Sequence, residues 1–151
     1  MLLPVARILL RFSRWRWYHR QAKVVTRELL DGGWPYYLFP LQLNSDVRII
    51  VHSPFGGVRD AIDRGIWSFA KHASQGATLV IKNHPLDTGL IEYRRFAMSL
   101  AHAVGIGGCL RFIDSGHLPT LLAFARGVVV ANSTVGLSAL HHERHLEVLT
   151  E

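Results

Sequence analysis

A chain of 151 residues that are 49% hydrophobic has the size of one domain with a real core, and 19% charged residues exclude a disordered polyelectrolyte. Its single cysteine, Cys109, excludes an internal disulfide and any Cys-based zinc cluster. The formal net charge of +6 is confined to residues 1–30, where Arg7, Arg11, Arg14, Arg16, Arg20, Lys23 and Arg27 face one acid, Glu28, and the remainder is formally neutral.

The first predicted element is therefore a basic helix, with Trp15, Trp17 and Tyr18 interleaved among its arginines. Met1–Leu10 is mostly apolar, but the charges follow the apolar run, whereas a secretory signal places them before it. The run also falls well short of the ~20 apolar residues that span a bilayer. A basic-aromatic helix suits an anionic membrane surface or a nucleic acid, and equally an ordinary surface helix whose aromatics pack on the domain. A net +6 on thirty residues is weak ground for the nucleic-acid reading.

Asp31-Gly32-Gly33-Trp34-Pro35 breaks this helix, with glycines at its end and a proline beyond. The boundary placed there divides the chain into a basic N-terminal helix, residues 1–33, and a body, residues 34–151. In the body, Tyr36–Leu41 reads as a buried strand, and Arg48–His52 as a weaker strand candidate. Val58–His72 has helical spacing at Ile62, Ile66, Phe69 and Ala70. Thr78–Ile81 is a strand, and Leu90–Val104 a helix with Phe96, Leu100 and Val104 on one face. Leu110–Ile113 is a strand, and Leu118–Ala125 a helix with Pro119 in its first turn. Val128–Ala131 is a strand, and Thr134–His141 a helix. Unbroken apolar strands alternating with helices predict an α/β domain, a Rossmann-like parallel sheet with helices on both faces.

In such a sheet, ligands bind at the carboxyl ends of the strands, so the residues that follow each strand are the candidates. The first strand runs into Gln42, with Asn44, Ser45 and Asp46 close behind. The second runs into Lys82-Asn83-His84-Pro85. Lys82 supplies a point charge and His84 an N–H donor for phosphate oxygens, while Pro85 stops the strand and sets His84 at a turn. The last runs into Asn132-Ser133-Thr134. Asn132 or Ser133 can cap the following helix, and free backbone N–H groups with two hydroxyls can hold a phosphate. Each piece also has a plainer reading, a surface turn or a simple helix cap.

Other chemistries find less support. Gly105-Ile106-Gly107-Gly108 follows a helix rather than a strand, the wrong setting for a dinucleotide loop. His141 and His145 share a helical face, but no carboxylate stands at the zinc-protease spacing, and a solvated terminal helix accounts for them. Asp114, Ser115 and His117 lack the glycines of a nucleophile elbow. No metal or cofactor site is expected.

Phe39-Pro40-Leu41-Gln42, Asp46, His52-Ser53-Pro54-Phe55, Lys82-x-His84-Pro85, Tyr93, Ile113-Asp114, Leu118-Pro119 and Asn132-Ser133-Thr134-Val135-Gly136-Leu137-Ser138-Ala139-Leu140 together resemble the capsule polysaccharide biosynthesis and export family. The resemblance covers roughly residues 34–142. Members of that family include β-Kdo transferases that start capsule linkers on a lipid in Gram-negative bacteria. The resemblance implies one half of a two-domain GT-B glycosyltransferase, a CMP-Kdo donor and transfer with inversion. It implies that Lys82, His84 and Pro85 contact the CMP phosphate, that Ser133 and Thr134 (beside Asn132) meet it from a helix terminus, and that Gln42 lies after the first strand of the same pocket. The general base would come from an acceptor domain for which residues 1–30 leave no room, so the catalytic residue is unknown. Leu140–Glu151 stops where the family pattern continues into another strand and a glycine-rich, aromatic segment. The implied partners are CMP-Kdo or a related nucleotide sugar, other capsule biosynthesis proteins and, through residues 1–30, an anionic membrane. The implied location is cytoplasmic, peripheral to the inner membrane.

Overall fold

The computed structural model describes residues 3–41, 57–85, 87, 92–130 and 145–148, with the backbone alone for 3–15 and 145–148. Its elements in chain order are α1 (Leu3–Asp31), β1 (Tyr36–Pro40), α2 (Val58–His72), β2 (Thr78–Lys82), α3 (Tyr93–Ala103), β3 (Leu110–Ile113), α4 (Leu118–Phe124), β4 (Gly127–Val130) and β5 (His145–Val148). The strand expected at Arg48–His52 and the helix expected at Thr134–His141 lie outside the described residues.

The five strands form one sheet in the order β3-β2-β1-β4-β5, every neighbouring pair parallel. Short runs with every residue buried, as in Thr78–Lys82 and Gly127–Val130, form because helices shield both faces of such a sheet. Alternation along each strand sorts the side chains into two cores. Phe39, Leu79, Ile81, Leu110, Phe112 and Val129 pack with Ile62, Ile66 and Phe69 of α2 and Ala97 and Ala101 of α3. Tyr36, Leu38, Val80, Ile113, Val128 and Val130 pack with Ala22 and Leu29 of α1 and Leu121 and Leu122 of α4.

Three local features set these layers. Gly65 lets α2 approach β1, since a Cβ there would lie 2.4 Å from Cε1 of Phe39. Tyr36, fully buried, donates its hydroxyl hydrogen to the Leu121 carbonyl at 2.5 Å, tying the start of β1 to α4. Arg59 on α2 lies 4.4 Å from the ring centre of Phe96 on α3 and joins those two helices at their surface.

One expectation is extended and one is corrected. The innermost line of α3 is Tyr93, Ala97 and Ala101, with Phe96, Leu100 and Val104 only partly buried at its flanks. Two alanines bring the helix close to the sheet, and the larger side chains fill the margins. His145 opens strand β5, which pairs with β4 from Gly127↔His145 to Val130↔Val148, so it is not part of a terminal helix. His141 and His142 lie outside the described residues. Gly105, at φ 83°, and the 3-10 turn Gly107–Cys109 close α3 and lead into β3, which accounts for the glycine cluster.

The N-terminal helix does more than precede the body. Ala22 and Leu29 are core residues, Val25 packs against the same cluster, and α1 lies along β3.

Candidate functional site

The strand order fixes where a ligand fits. From β1 the chain steps outward to β2 and β3, then crosses back to place β4 on the other side of β1. The switch point is therefore between β1 and β4, and the crevice at their carboxyl ends is the binding position of this sheet class. β1 and β4 end at Pro40 and Val130. Gln42, Asn132, Ser133 and Thr134 follow those ends in the sequence and lie outside the described residues, as do Asn44, Ser45 and Asp46.

The third candidate segment is described. Lys82 is the last residue of β2, paired with Pro40 on one side and Ile113 on the other. It is only 5% exposed. Its Nζ donates to the Asn83 carbonyl at a long 3.3 Å. An ammonium carries three hydrogens, so two are uncommitted among the described residues. Burial pushes its pKa below the usual lysine value, and the Asp114 carboxylate offsets part of that. A cation withdrawn from water with most of its donors unspent is costly to the fold and ready for an anion.

Asn83 builds the turn beyond it. Its backbone N–H donates to the Ile113 carbonyl at 2.8 Å, carrying the β2–β3 ladder one residue past the strand. Its side-chain Nδ2 donates to Asp87 Oδ2 at 2.8 Å and to Asp114 Oδ1 at 3.0 Å. Its Oδ1 accepts from the His84 N–H at 2.9 Å, and the Asp87 N–H donates to the His84 carbonyl at 3.0 Å. His84 thus leaves the strand in a turn held at both ends, with its ring partly exposed and Pro85 exposed beside it. The structure brings Lys82, His84 and Pro85 to one strand end, as their spacing predicts.

The neighbouring strand end carries a charge-paired network, in which Arg94 Nε alone of the guanidinium is buried without a partner among the described residues. Asp114, just after β3, pairs through Oδ2 with the Arg94 guanidinium of α3. That guanidinium lies 4.2 Å from the Tyr18 ring centre and 5.0 Å from that of Phe112. Nearby, Tyr93 is buried, and its hydroxyl has no hydrogen-bond partner among the described residues. Burial raises its pKa, Asp87 adds to the rise, and Arg59 opposes it.

Asn83 and Arg94 shape the surroundings of Lys82 and His84, and sequence reasoning passed over both. An asparagine at the end of an apolar run is a turn former, and that signal was available for Asn83. Nothing local marks Arg94, which meets Asp114 twenty residues away. Among the described residues, no group of three or more His, Cys, Asp or Glu side chains is placed to hold a metal ion.

The family model described as capsule polysaccharide biosynthesis protein matches residues 3–151. The chain is 38% identical over 129 residues to the capsule polysaccharide export protein KpsS of Escherichia coli, covering 85% of this chain and 33% of that protein. It is 30% identical over 138 residues to the capsule polysaccharide modification protein LipB of Neisseria meningitidis serogroup A, covering 91% of this chain and 33% of that one. The serogroup B LipB matches to the same extent. The chain therefore spans about a third of the length of the curated relatives it matches. No solved structure matches it.

Proposed function

This chain belongs to the capsule polysaccharide biosynthesis family, and from that premise we propose that it forms the nucleotide-sugar-binding part of an inverting glycosyltransferase with CMP-Kdo as donor. The observation that carries this reading is Lys82, buried at the carboxyl edge beside the switch point with two donor hydrogens uncommitted among the described residues. Lys82 and His84 take the donor phosphate, with Ser133, Thr134, Asn132 and Gln42 completing the pocket from the ends of β4 and β1. During transfer the acceptor hydroxyl oxygen bonds to the anomeric carbon, the bond from that carbon to the phosphate oxygen breaks, and a base takes the hydroxyl proton. Negative charge then grows on the departing phosphate, where an ammonium and an imidazole N–H stabilise it most. We place this chemistry at the cytoplasmic face of the inner membrane.

A second reading, binding without turnover, is favoured by the state of the two carboxylates described beside Asn83. Asp87 accepts from Asn83, and Asp114 is occupied by both Asn83 and Arg94, so neither is poised as a general base. Calorimetric titration of the chain with CMP, repeated on His84→Ala, tests the pocket. Saturable binding that weakens in the variant supports it, and a folded chain that does not bind CMP rejects it. Release of CMP from CMP-Kdo by the chain with a lipid acceptor would eliminate the second reading.

A further inference from the structure

The outward side of α1 separates from its sheet-facing side at single-residue resolution. Tyr18, Ala22, Val25 and Leu29, at steps of four, three and four, form the inward line, with Ala22 and Leu29 in the core. Arg16, Arg20, Lys23 and Arg27 repeat the same steps on the opposite side and are all exposed. That line spans twelve residues, about 16 Å of helix from first to last. Trp17 and Val24, seven residues apart, flank it and are 56% and 55% exposed.

We propose that this face of α1 is a docking surface for an anionic lipid bilayer. A line of cations matches a sheet of anionic headgroups, and the flanking indole and isopropyl groups match the boundary between headgroup and acyl chain. A nucleic-acid groove would reward the cations and allow the indole to stack on a base, but it offers nothing to an exposed valine. No described helix is long and apolar enough to cross a membrane, so the helix lies along the surface.

The docking has a geometric consequence for the site. α1 ends at Asp31, with four residues between it and the start of β1, while Tyr18 stacks on Arg94 beside Asp114 at the carboxyl end of β3. The helix therefore runs antiparallel to the strands, and its N-terminal half reaches the carboxyl edge of the sheet. With α1 on the bilayer the strands run alongside it. The crevice then opens sideways, about one helix diameter (~10 Å) above the lipid.

The test is co-sedimentation of the full chain with phosphatidylcholine vesicles, with and without 30% phosphatidylglycerol, at low and high salt. Binding is expected only to the anionic vesicles and should weaken with salt. The triple variant Arg20→Gln, Lys23→Gln, Arg27→Gln should lose about fivefold per cation, roughly a hundredfold in all. A charge-matched triple elsewhere, Lys71→Gln, Arg95→Gln, Arg126→Gln, should lose no more than a fewfold. Trp17→Ser should weaken binding several-fold at both salt concentrations. Circular dichroism confirms that the exposed substitutions leave the fold in place. Equal losses in the two triples, equal binding to both vesicle types, or single-stranded RNA displacing the chain from anionic vesicles at equal phosphate would each overturn the proposal. None of these readouts depends on nucleotide binding.

Discussion

Two cations are drawn out of water at the same edge of the sheet, and their surroundings are opposite. Arg94, whose side chain is 23% exposed, is matched by the Asp114 carboxylate and lies against the rings of Tyr18 and Phe112. Lys82 is more deeply buried and, among the described residues, donates one long hydrogen bond, to the carbonyl of its own neighbour. A guanidinium with a carboxylate and two rings is a charge-matched contact, with only Nε left without a partner among the described residues, and it holds α1, α3 and β3 together. An ammonium with unspent donors destabilises the free protein unless something else gains from it. That asymmetry separates the binding end of the edge from its structural end.

The largest effect is expected where the donors are unspent. Lys82→Met keeps the aliphatic length and removes the charge. CMP affinity should fall about 30-fold or more, the usual effect of deleting one partner from a buried charged contact. The same substitution should stabilise the unliganded chain by about 1 kcal/mol, or ~3 °C in melting temperature. The sign follows from linkage. The folded pKa of Lys82 lies below its unfolded value near 10.5, so folding opposes the ammonium throughout the range below the lowered pKa. That penalty fades as pH rises towards 10.5, and the advantage of Lys82→Met should fade with it. A variant that binds CMP normally, or that melts lower at pH 7, would remove Lys82 from the binding end.

At the structural end the expectation reverses. Arg94→Ala strips Asp114 of its cation and leaves two rings facing a void. A loss of about 2 kcal/mol of stability is expected in denaturant titration, below the range for a fully buried pair because both side chains keep some contact with water. CMP affinity should change far less than in Lys82→Met. The reverse outcome, with intact stability and lost binding, would mean that Arg94 belongs to the pocket.

The third effect links the two ends. Asp114 raises the Lys82 pKa against the larger pull of desolvation. CMP affinity should therefore decline as pH rises through the lowered lysine pKa, and Asp114→Asn should move that decline to lower pH. Near-neutral affinity should drop only a fewfold. A pH profile that is unmoved in Asp114→Asn would show that the carboxylate acts on Arg94 alone.

How far the sequence foretold these contacts depends on their range. The positions of β1 to β4 were legible to within a residue, and Val58–His72 was legible in full, because burial on both faces writes unbroken apolar runs and helical burial writes a 3.6-residue period. On α3 the face of Phe96, Leu100 and Val104 was legible, and the deeper line was not, because Ala97 and Ala101 carry little hydrophobic signal. β5 escaped because His145-Leu146-Glu147-Val148 alternates polar and apolar residues, as an outer strand does, among further histidines and acids. The seven basic residues near the N-terminus were legible as composition. Only packing shows that Arg16, Arg20, Lys23 and Arg27 lie opposite a core-facing line. Lys82 and His84 stood out as polar residues ending an apolar run, whereas the strand order and the Arg94–Asp114 pair have no local signature.

The smallest effect probes that long-range pair from its far side. Tyr18→Leu keeps most of the apolar contact on Arg94 and removes the aromatic face. The cation–π contribution at a partly exposed site is about 0.5–1 kcal/mol, and the loss of stability should be of that size. Tyr18→Phe keeps the ring and should retain that contribution, so a loss shared by both variants would point to the hydroxyl. In an Arg94→Ala background the leucine substitution should cost almost nothing, because the partner of the ring is already gone. CMP affinity should be the same in all three. If Tyr18→Leu instead weakens CMP binding without lowering stability, the stack conveys the position of α1 to the crevice, and the division between a binding end and a structural end fails at Arg94.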